Sequence, residues 1–319
     1  MFTSSIISTT VARTVQRALS TSSGACAINS VGVIGAGLMG SGIAQIAAAS
    51  GNTVKLVDAN DEALGKGMAM IEGSLARLAA KKAPGSEAEW TAEVMSRVSG
   101  ESGIEALHDV DLVVEAIVEN MDIKKNLFAQ LGDIASDSAI LASNTSSLSI
   151  TELGEASNRP ESMVGLHFFN PVPLMALVEV VNTPATAPGV LDASTQWAKD
   201  IGKVPITCSD TPGFVVNRLL VPYMGEALRM LERGVASAQD IDTGMKLGAG
   251  HPMGPIQLAD YVGLDTCLFI LEGWSAEHPD VQAFAVPEIL RQKVEAGQTG
   301  RKVGQGFYKW DGDRIAKQQ

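Results

Sequence analysis

The chain has 319 residues, a length that fits two domains better than one. Hydrophobic residues make up 45% and charged residues 19%, which allows a sizeable core and argues against bulk disorder. The net charge of −12 makes nucleic acid and anionic membranes poor partners, so a polyanionic ligand would need a local basic pocket.

Cysteine and histidine are scarce. The chain has three cysteines, Cys26, Cys208 and Cys267, with no C-x-x-C pair, and four histidines. This argues against a disulfide framework and against a Cys/His zinc site, so we predict no metal site. Reduced thiols in a reducing compartment are expected.

Residues 1–23 are typical of a mitochondrial transit peptide. Eleven of them are Ser or Thr, Arg13 and Arg17 are the only charges, and no acid occurs before Asp58. The alternative is a polar N-terminus without a targeting function. The uncharged stretch 18–54 is long enough to cross a bilayer, but its glycines and polar residues favour a strand, a turn and a helix, so no membrane insertion is predicted.

The next segment has the order expected of a dinucleotide-binding turn. Residues 28–34 are rich in β-branched residues, as in a buried parallel strand, and the glycine-rich sequence GAGLMG follows at 35–40. Residues 41–50 then predict an Ala-rich helix. In this pattern Gly35 permits the tight turn, Gly37 lets the backbone approach a pyrophosphate, and Gly40 lets the helix pack closely on the strand.

Asp58 ends the second predicted strand, residues 53–57. A carboxylate there can accept hydrogen bonds from the adenosine ribose hydroxyls and would repel a 2′-phosphate. No arginine follows it, so NAD is predicted rather than NADP. The alternative is a glycine-rich turn that binds nothing.

Two predicted helices, 61–82 and 87–98, interrupt the alternation of strands and helices around a turn at 84–86. The first ends in a basic cluster of Arg77, Lys81 and Lys82, which either contacts a phosphate or CoA or is an ordinary solvated helix end. The residues alone favour the helix end.

Four further strands are predicted, at 111–116, 139–143, 163–168 and 176–181. Polar residues follow two of them directly, Glu119 with Asn120 and the run 144–147. Ligands bind outside the carboxyl ends of strands in open α/β sheets, so both groups are candidate site residues.

His167 lies in an apolar strand that runs into an Asn-Pro-x-Pro loop, and Glu179 lies in the β-branched strand that follows. A buried Glu is costly unless it is paired, so we expect Glu179 to face His167 across neighbouring strands. Glu179 would fix the tautomer of His167, and the second ring nitrogen would act as a base near neutral pH.

Oxidation of a secondary alcohol by NAD requires such a base, with Ser146 and Asn170 as candidates to hold the substrate oxygen and the cofactor ring. The alternative is a structural His–Glu pair or a Glu on a solvent-facing strand.

The second half is predicted to be mainly helical. A boundary is expected at 210–213, followed by a long helix to Gly234 that carries Asn217 one turn in, where it either reaches a cleft or serves as a capping or core residue. Further helices are predicted at 238–248, 254–273 and 287–296, with His251 in a loop.

Together these segments resemble the L-3-hydroxyacyl-CoA dehydrogenase family, and the resemblance covers about residues 28–310. The motifs that carry it are VGVIGAGLMGSGIAQ (31–45), DLVVEAIVEN (111–120), ASNTSSL (142–148), GLHFFNPVP (165–173), LVEVV (177–181), DTPGFVVNRLL (210–220), GAGHPMGPIQLADYVGLD (248–265) and GRKVGQGFY (300–308).

The resemblance implies an α/β fold. A mitochondrial transit peptide (1–23) would precede an NAD-binding Rossmann-type domain with an inserted helical hairpin (24–208) and a smaller all-α C-terminal domain (209–319). It also implies NAD-dependent oxidation of (S)-3-hydroxyacyl-CoA to 3-oxoacyl-CoA in the mitochondrial matrix, by a homodimer.

The resemblance also implies roles for individual residues. His167 is the expected base, with Glu179 as its partner. The groups around the substrate oxygen and the nicotinamide are Ser146, Asn170 and Asn217. Further cofactor contacts are Glu119, Lys124 and Lys302, beside Gly35, Gly37, Gly40 and Asp58. The substrate-binding residues are Ser74, Lys81 and Ser146. Ser74 and Lys81 match positions that contact the CoA portion, which reverses the interpretation of the basic cluster as a simple helix end.

Two residues depart from the mitochondrial form of the family. Ala176 stands where Lys is usual, and His251 stands where Tyr is common. These two departures leave the preference for particular acyl groups and the local loop packing open. They do not change the expected chemistry. The rival functions are a non-catalytic NAD-binding structural protein, like the lens crystallins related to this family, and a dehydrogenase for another hydroxyacid.

Overall fold

The computed structural model describes residues 27–316, so the predicted transit peptide lies outside the described residues. The chain divides between Asp210 and Thr211 into two compact units. This division lies within the segment 210–213 where the sequence places a boundary, and two residues beyond the domain end at 208 that the resemblance implies. No helix in the described part is long and apolar enough to cross a membrane.

The first unit is built on one eight-stranded sheet in the order β3-β2-β1-β4-β5-β6-β7-β8. Its strands are β1 (Ser30–Ile34), β2 (Thr53–Val57), β3 (Val98–Glu101), β4 (Leu112–Glu115), β5 (Ile140–Ser143), β6 (Met163–Phe168), β7 (Leu177–Asn182) and β8 (Val204–Ser209). The strands from β3 to β6 pair in parallel, β7 pairs antiparallel to β6, and β8 pairs parallel to β7. The carboxyl ends of β4, β5 and β6 therefore share one edge of the sheet.

Helices connect the strands, as parallel pairing requires. They are α1 (Leu38–Ala49), α2 (Asp61–Lys82), α3 (Glu87–Met95), α4 (Met121–Ile134), α5 (Ile150–Ala156) and α6 (Pro188–Asp200). The inner strands are nearly all buried and α1 is buried along most of its length, so the core lies between them. The predicted α/β class of this unit is confirmed.

The hairpin of α2 and α3 is the predicted insertion. The Asn60 side chain caps α2 by accepting from the backbone N–H groups of Glu62 and Ala63, and the last turn carries Lys81 and Lys82. The cap satisfies N–H groups that have no partner within the helix, and the positive charges in the last turn interact favourably with the helix dipole.

Two strands of this sheet were missed by the sequence analysis. The second helix of the insertion was predicted to run to residue 98, but it ends at Met95, and Val98–Glu101 forms the edge strand β3. This strand contains a glycine and only four residues, so its pattern is too short to predict it. The partly exposed edge strand β8 was also missed.

The second unit consists mainly of helices, α7 (Val216–Glu232), α8 (Ala238–Gly248), α9 (Pro255–Val262), α10 (Leu264–Glu277) and α11 (Glu288–Glu295). The single helix predicted at 254–273 is wrong, because Gly263 has a φ of 108° and separates α9 from α10. The prediction of an all-α domain also needs correction, since Trp310–Asp311 and Arg314–Ile315 pair as a short hairpin, β9 and β10.

Two buried carboxylates hold the C-terminal segment of this unit. Asp260 accepts from the backbone N–H groups of Phe307 and Tyr308 and from the indole N–H of Trp310. Asp242 accepts from the hydroxyl of Tyr308 at 2.6 Å. Hydrogen-bonded acids of this kind fix a segment that has few regular elements of its own.

Candidate active site

The glycine-rich turn between β1 and α1 has the geometry predicted for a dinucleotide site. Gly35 has a φ of 102°, a conformation that L side chains rarely adopt, and its N–H donates to the carbonyl of Val57 at 2.8 Å. A methyl group on Gly40 would lie 1.7 Å from the Gly35 carbonyl oxygen, so no side chain fits there.

Gly37 differs from these two glycines because a methyl group there would meet nothing within 4 Å. Gly37 is also the N-cap residue directly before α1, and no side chain caps the backbone N–H groups of the first turn. An open space in front of uncapped N–H groups at a helix N-terminus fits a pyrophosphate. The residues of the turn therefore fit the dinucleotide that the sequence predicts.

Asp58 lies directly after β2, beside this turn. One oxygen of its carboxylate, Oδ2, accepts from the N–H of Ala36 at 2.8 Å, and Oδ1 accepts from the N–H of Asn60 at 3.1 Å. The carboxylate thus supports the glycine-rich turn in addition to the ribose-binding role predicted for it. No feature of the sequence indicated this second contact.

The predicted pairing of His167 with Glu179 is confirmed. The two residues are direct cross-strand partners in the antiparallel pair of β6 and β7, and Nδ1 of His167 lies 2.6 Å from Oε2 of Glu179. Glu179 is fully buried and His167 is 6% exposed. Since a carboxylate can only accept, Nδ1 carries the proton and Nε2 carries the lone pair.

Glu119 and Ser146 meet at the ends of β4 and β5. Oε1 of Glu119 accepts from the hydroxyl of Thr145 at 2.6 Å and from the N–H of Ser146 at 3.1 Å. Burial alone would raise the pKa of Glu119, but the positive charge of Lys124 and these hydrogen bonds outweigh it and lower the pKa. Glu119 is therefore a carboxylate that holds the Ser146 loop.

Lys124 is buried, unlike a cofactor contact on the protein surface. Its side chain is 1% exposed, and its amine lies 2.7 Å from Glu115 and 3.1 Å from Glu119. A buried ammonium of this kind is stabilised by its two acidic partners. Its predicted role as a cofactor contact stays a prediction.

Ser74, Lys81 and Asn170 line one cavity of about 380 Å³ in the first unit. Its walls come from α1, from α2 of the insertion and from the loop between β6 and β7, including Arg77 and Leu174. The structure thus brings the two predicted CoA contacts and Asn170 to a common space. Arg77 adds a second cation to it.

Asn217 and Lys302 belong to the second unit. Asn217 is the second residue of α7 and is half-buried. The amine of Lys302 lies 2.5 Å from Oδ2 of Asp265, close to the start of α10. Their predicted roles at the substrate oxygen and the cofactor stay predictions.

Asn144 belongs to the polar run 144–147 that the sequence indicated as part of the site. Its side chain accepts from the N–H of Phe168 and so ties the Ser146 loop to the end of β6. Another supporting residue, Lys203, was not predicted. Lys203 is buried, and its amine donates to the carbonyls of Val172 and Met175 in the loop that carries Asn170. No local signal marks Lys203, because a Gly-Lys pair after a helix is typical of a surface turn.

Glu115 was also missed, although its signal was present. It is an acid in the apolar run LVVE, the same pattern that singled out Glu179. It is fully buried and accepts from the Ser143 hydroxyl at 2.6 Å.

A mainly parallel sheet with a glycine-rich turn, an acid after the second strand and a buried histidine–carboxylate pair defines the class of NAD-dependent dehydrogenases. Comparison with known proteins then gives the family. A family model described as "3-hydroxyacyl-CoA dehydrogenase, NAD binding domain" matches residues 30–211. A second model, described as "3-hydroxyacyl-CoA dehydrogenase, C-terminal domain", matches residues 213–310. The chain belongs to the 3-hydroxyacyl-CoA dehydrogenase family.

Individual relatives agree with this assignment. The chain is 49% identical to the mitochondrial hydroxyacyl-coenzyme A dehydrogenase of Sus scrofa, over 93% of this chain and 98% of that protein. It is 48% identical to the Homo sapiens protein of the same name, over 94% and 99%. The crystal structure of (S)-3-hydroxybutyryl-CoA dehydrogenase from Ralstonia eutropha superposes with a TM-score of 0.85 at 44% identity, covering 89% of this chain and 100% of that one.

Proposed function

We propose that this protein oxidises (S)-3-hydroxyacyl-CoA to 3-oxoacyl-CoA with NAD. The observation that carries the proposal is the Glu179-paired His167 in the same unit as the glycine-rich turn and Asp58. The relatives named as hydroxyacyl-CoA and 3-hydroxybutyryl-CoA dehydrogenases support the substrate class.

His167 is the general base of this reaction. Its Nδ1–H donates to Glu179, so Nε2 takes the proton from the 3-hydroxyl group. Glu179 then stabilises the imidazolium, because an ionised carboxylate 2.6 Å away favours the charged ring. Bound NAD supplies the acceptor for the hydride. Both residues are buried, which strengthens this electrostatic stabilisation.

The remaining residues hold the reactants. Ser146 and Asn170 position the substrate oxygen and the nicotinamide, and Glu119 fixes the Ser146 loop. The same role for Asn217 stays a prediction from the resemblance. Ser74 and Lys81 bind the CoA portion in the cavity between α1 and α2. Lys81 and Arg77 supply the local positive charge that a polyanionic substrate needs on a chain of net charge −12.

The direct test follows NADH oxidation with acetoacetyl-CoA for the wild type and for His167→Ala. We expect kcat to fall by several orders of magnitude, beyond the ~10²–10⁴ usual for one acid–base group, because the Glu179 partnership is lost too. His108→Ala is the matched control, since His108 is an exposed histidine of the same unit. Turnover of His167→Ala at the wild-type rate would remove His167 from its role.

The substrate class has a separate test. Acetoacetyl-CoA and acetoacetate share the reacting carbonyl, but only the thioester carries the nucleotide that Ser74 and Lys81 would bind. We expect kcat/KM to favour acetoacetyl-CoA strongly, and Lys81→Ala to reduce that preference. Equal use of both substrates would favour a dehydrogenase for free hydroxyacids. Tight NADH binding without turnover would favour a structural protein.

Location and assembly are part of the same proposal. The composition of residues 1–23 and the relatives named as mitochondrial support a mitochondrial matrix enzyme. A reporter fused to residues 1–23 should enter mitochondria, and a cytosolic reporter would contradict the address. A homodimer is proposed from the family resemblance, and light scattering should give twice the 33.3 kDa chain mass, less any cleaved leader.

A further inference from the structure

Glu115 is a buried carboxylate that the proposed chemistry does not use. It ends β4 and is fully buried. Oε1 accepts from the N–H of Ile117 and from the amine of Lys124, both at 2.7 Å, and Oε2 accepts from the Ser143 hydroxyl at 2.6 Å. A buried carboxylate costs several kcal/mol unless it is paired and hydrogen-bonded, so this arrangement needs every one of its donors.

Lys124 connects this buried acid to the site. Its amine lies between Glu115 at 2.7 Å and Glu119 at 3.1 Å. The side chains of Glu115 and Lys124 are 0% and 1% exposed, whereas that of Glu119 is 35% exposed. The ammonium is therefore fixed from the buried side, and it holds a partly exposed carboxylate in the loop that follows β4.

The far end of this series is the Ser146 loop. The second oxygen of Glu119 accepts from the Thr145 hydroxyl and from the N–H of Ser146. The N–H of Thr145 donates to the hydroxyl of Ser143, which in turn donates to Glu115. The hydrogen bonds thus form a closed ring through the ends of β4 and β5, two neighbouring strands of the sheet.

We propose that Glu115 is a positioning residue: with Ser143 it anchors Lys124, and through Lys124 it fixes Glu119 and the Ser146 loop in the geometry that binds the nicotinamide cofactor. This proposal rests on the proposed function, since it requires that Glu119 and Ser146 face that cofactor. Rigid support of this kind matters because small displacements of a binding group weaken its contacts sharply.

The direction in which NADH affinity changes on removal of the Glu115 charge distinguishes a positioning role from a purely electrostatic one. NADH carries negative charge on its pyrophosphate, so removing the charge of Glu115 would strengthen NADH binding if Glu115 acted only by its field. If Glu115 acts by holding Lys124 and Glu119, the same change weakens NADH binding. Glu115→Gln preserves the size of the side chain, removes the charge and replaces one acceptor oxygen with an NH2 donor.

The ion pair of Lys125, the residue that follows Lys124 on α4, provides a matched control. Lys125 pairs with Glu152 at 2.5 Å, but these side chains are 38% and 49% exposed. Glu152→Gln therefore removes an equivalent carboxylate from a neighbouring lysine on α4, outside the ring. Ser143→Ala is the second test variant, because it opens the ring at the hydroxyl that joins Glu115 to the N–H of Thr145 and leaves every charge in place.

The experiment measures the Kd for NADH by fluorescence titration on the full chain, with kcat and KM for acetoacetyl-CoA reduction and a thermal melt for each variant. We expect the Kd and KM for NADH to rise about tenfold or more in Glu115→Gln and by a smaller factor in Ser143→Ala. At saturating NADH, kcat should change less than KM. Glu152→Gln should bind NADH like the wild type.

A folded Glu115→Gln variant that bound NADH as tightly as the wild type, or more tightly, would overturn the positioning role. If that variant does not fold, Ser143→Ala decides, and unchanged NADH affinity in it would overturn the role equally. A wild-type protein that bound no NADH would refute the proposed function itself, and the positioning role with it.

Discussion

Replacing Glu179 with glutamine tests the acid–base pair most directly. The substitution keeps the shape of a side chain that is fully buried and removes the charge next to Nδ1 of His167. The amide oxygen can still accept from Nδ1, but it no longer stabilises an imidazolium. Alternatively the amide nitrogen faces the ring and forces the other tautomer, which moves the proton to Nε2 and removes the base.

The two orientations of the amide set the lower and upper limits of the expected loss of kcat. A hydrogen bond to a charged group contributes about 1.5–3 kcal/mol, and each 1.4 kcal/mol corresponds to a factor of ten, so loss of charge assistance alone reduces kcat by about 10- to 150-fold. A reversed tautomer is worse, because an equivalent acid-to-amide change in serine proteases reduces kcat by about 10⁴. We therefore expect a fall in kcat between these limits, with the KM for NADH unchanged because Glu179 contacts the histidine.

The assay is NADH oxidation with acetoacetyl-CoA across a range of pH, with a thermal melt to establish that the variant is folded. Glu152→Gln is again the control, since it neutralises a half-exposed carboxylate on α5. A folded Glu179→Gln variant with kcat within threefold of the wild type would refute the reasoning, because a carboxylate at 2.6 Å would then contribute nothing to the base.

Three further predictions concern the cofactor site. Asp58→Asn should lower the preference for NADH over NADPH by about tenfold or more, because it removes the charge that repels a 2′-phosphate and retains an acceptor for the N–H of Ala36; equal NADPH use by the wild type would contradict this. Gly37→Ala should melt like the wild type and bind NADH more weakly, because its methyl group occupies the open space in front of α1, whereas Gly40→Ala should lower the melting temperature, because its methyl group meets the Gly35 carbonyl. Indistinguishable melts and NADH affinities for these two variants would be inconsistent with the turn geometry. Because the folded pKa of Glu119 lies below its ordinary value of 4.5, its contribution to stability is present above that value and is lost as the pH falls through the lowered pKa. The difference in melting temperature between the wild type and Glu119→Gln should therefore shrink on acidification below about pH 4.5, and a constant difference would show that ionisation of Glu119 contributes nothing.

Local sequence pattern was sufficient to predict much of the structure of the first unit. The glycines at 35, 37 and 40 have a spacing that serves one kind of turn, and the structure gives Gly35 and Gly40 the constraints expected of them. His167 and Glu179 could be paired from the sequence because a short Pro-containing loop reverses the chain between two apolar strands. A buried acid needs a partner, and the strand on the other side of that loop offered one.

Other features required the tertiary structure. Glu115 and Ser143 lie 28 residues apart along the chain, and they are hydrogen-bonded because β4 and β5 pair with these two residues in register. Glu119 and Lys124 complete the ring from the loop and the helix that follow β4. The short edge strand β3 and the break at Gly263 were invisible for a related reason, since a few residues of weak pattern take their conformation from their neighbours. The sequence by itself determined which local turns and strands carry the chemistry, because backbone sterics and apolar spacing act over a few residues. Only the folded sheet decided which distant charges neutralise one another, because desolvation makes a buried ion depend on partners that no local spacing specifies.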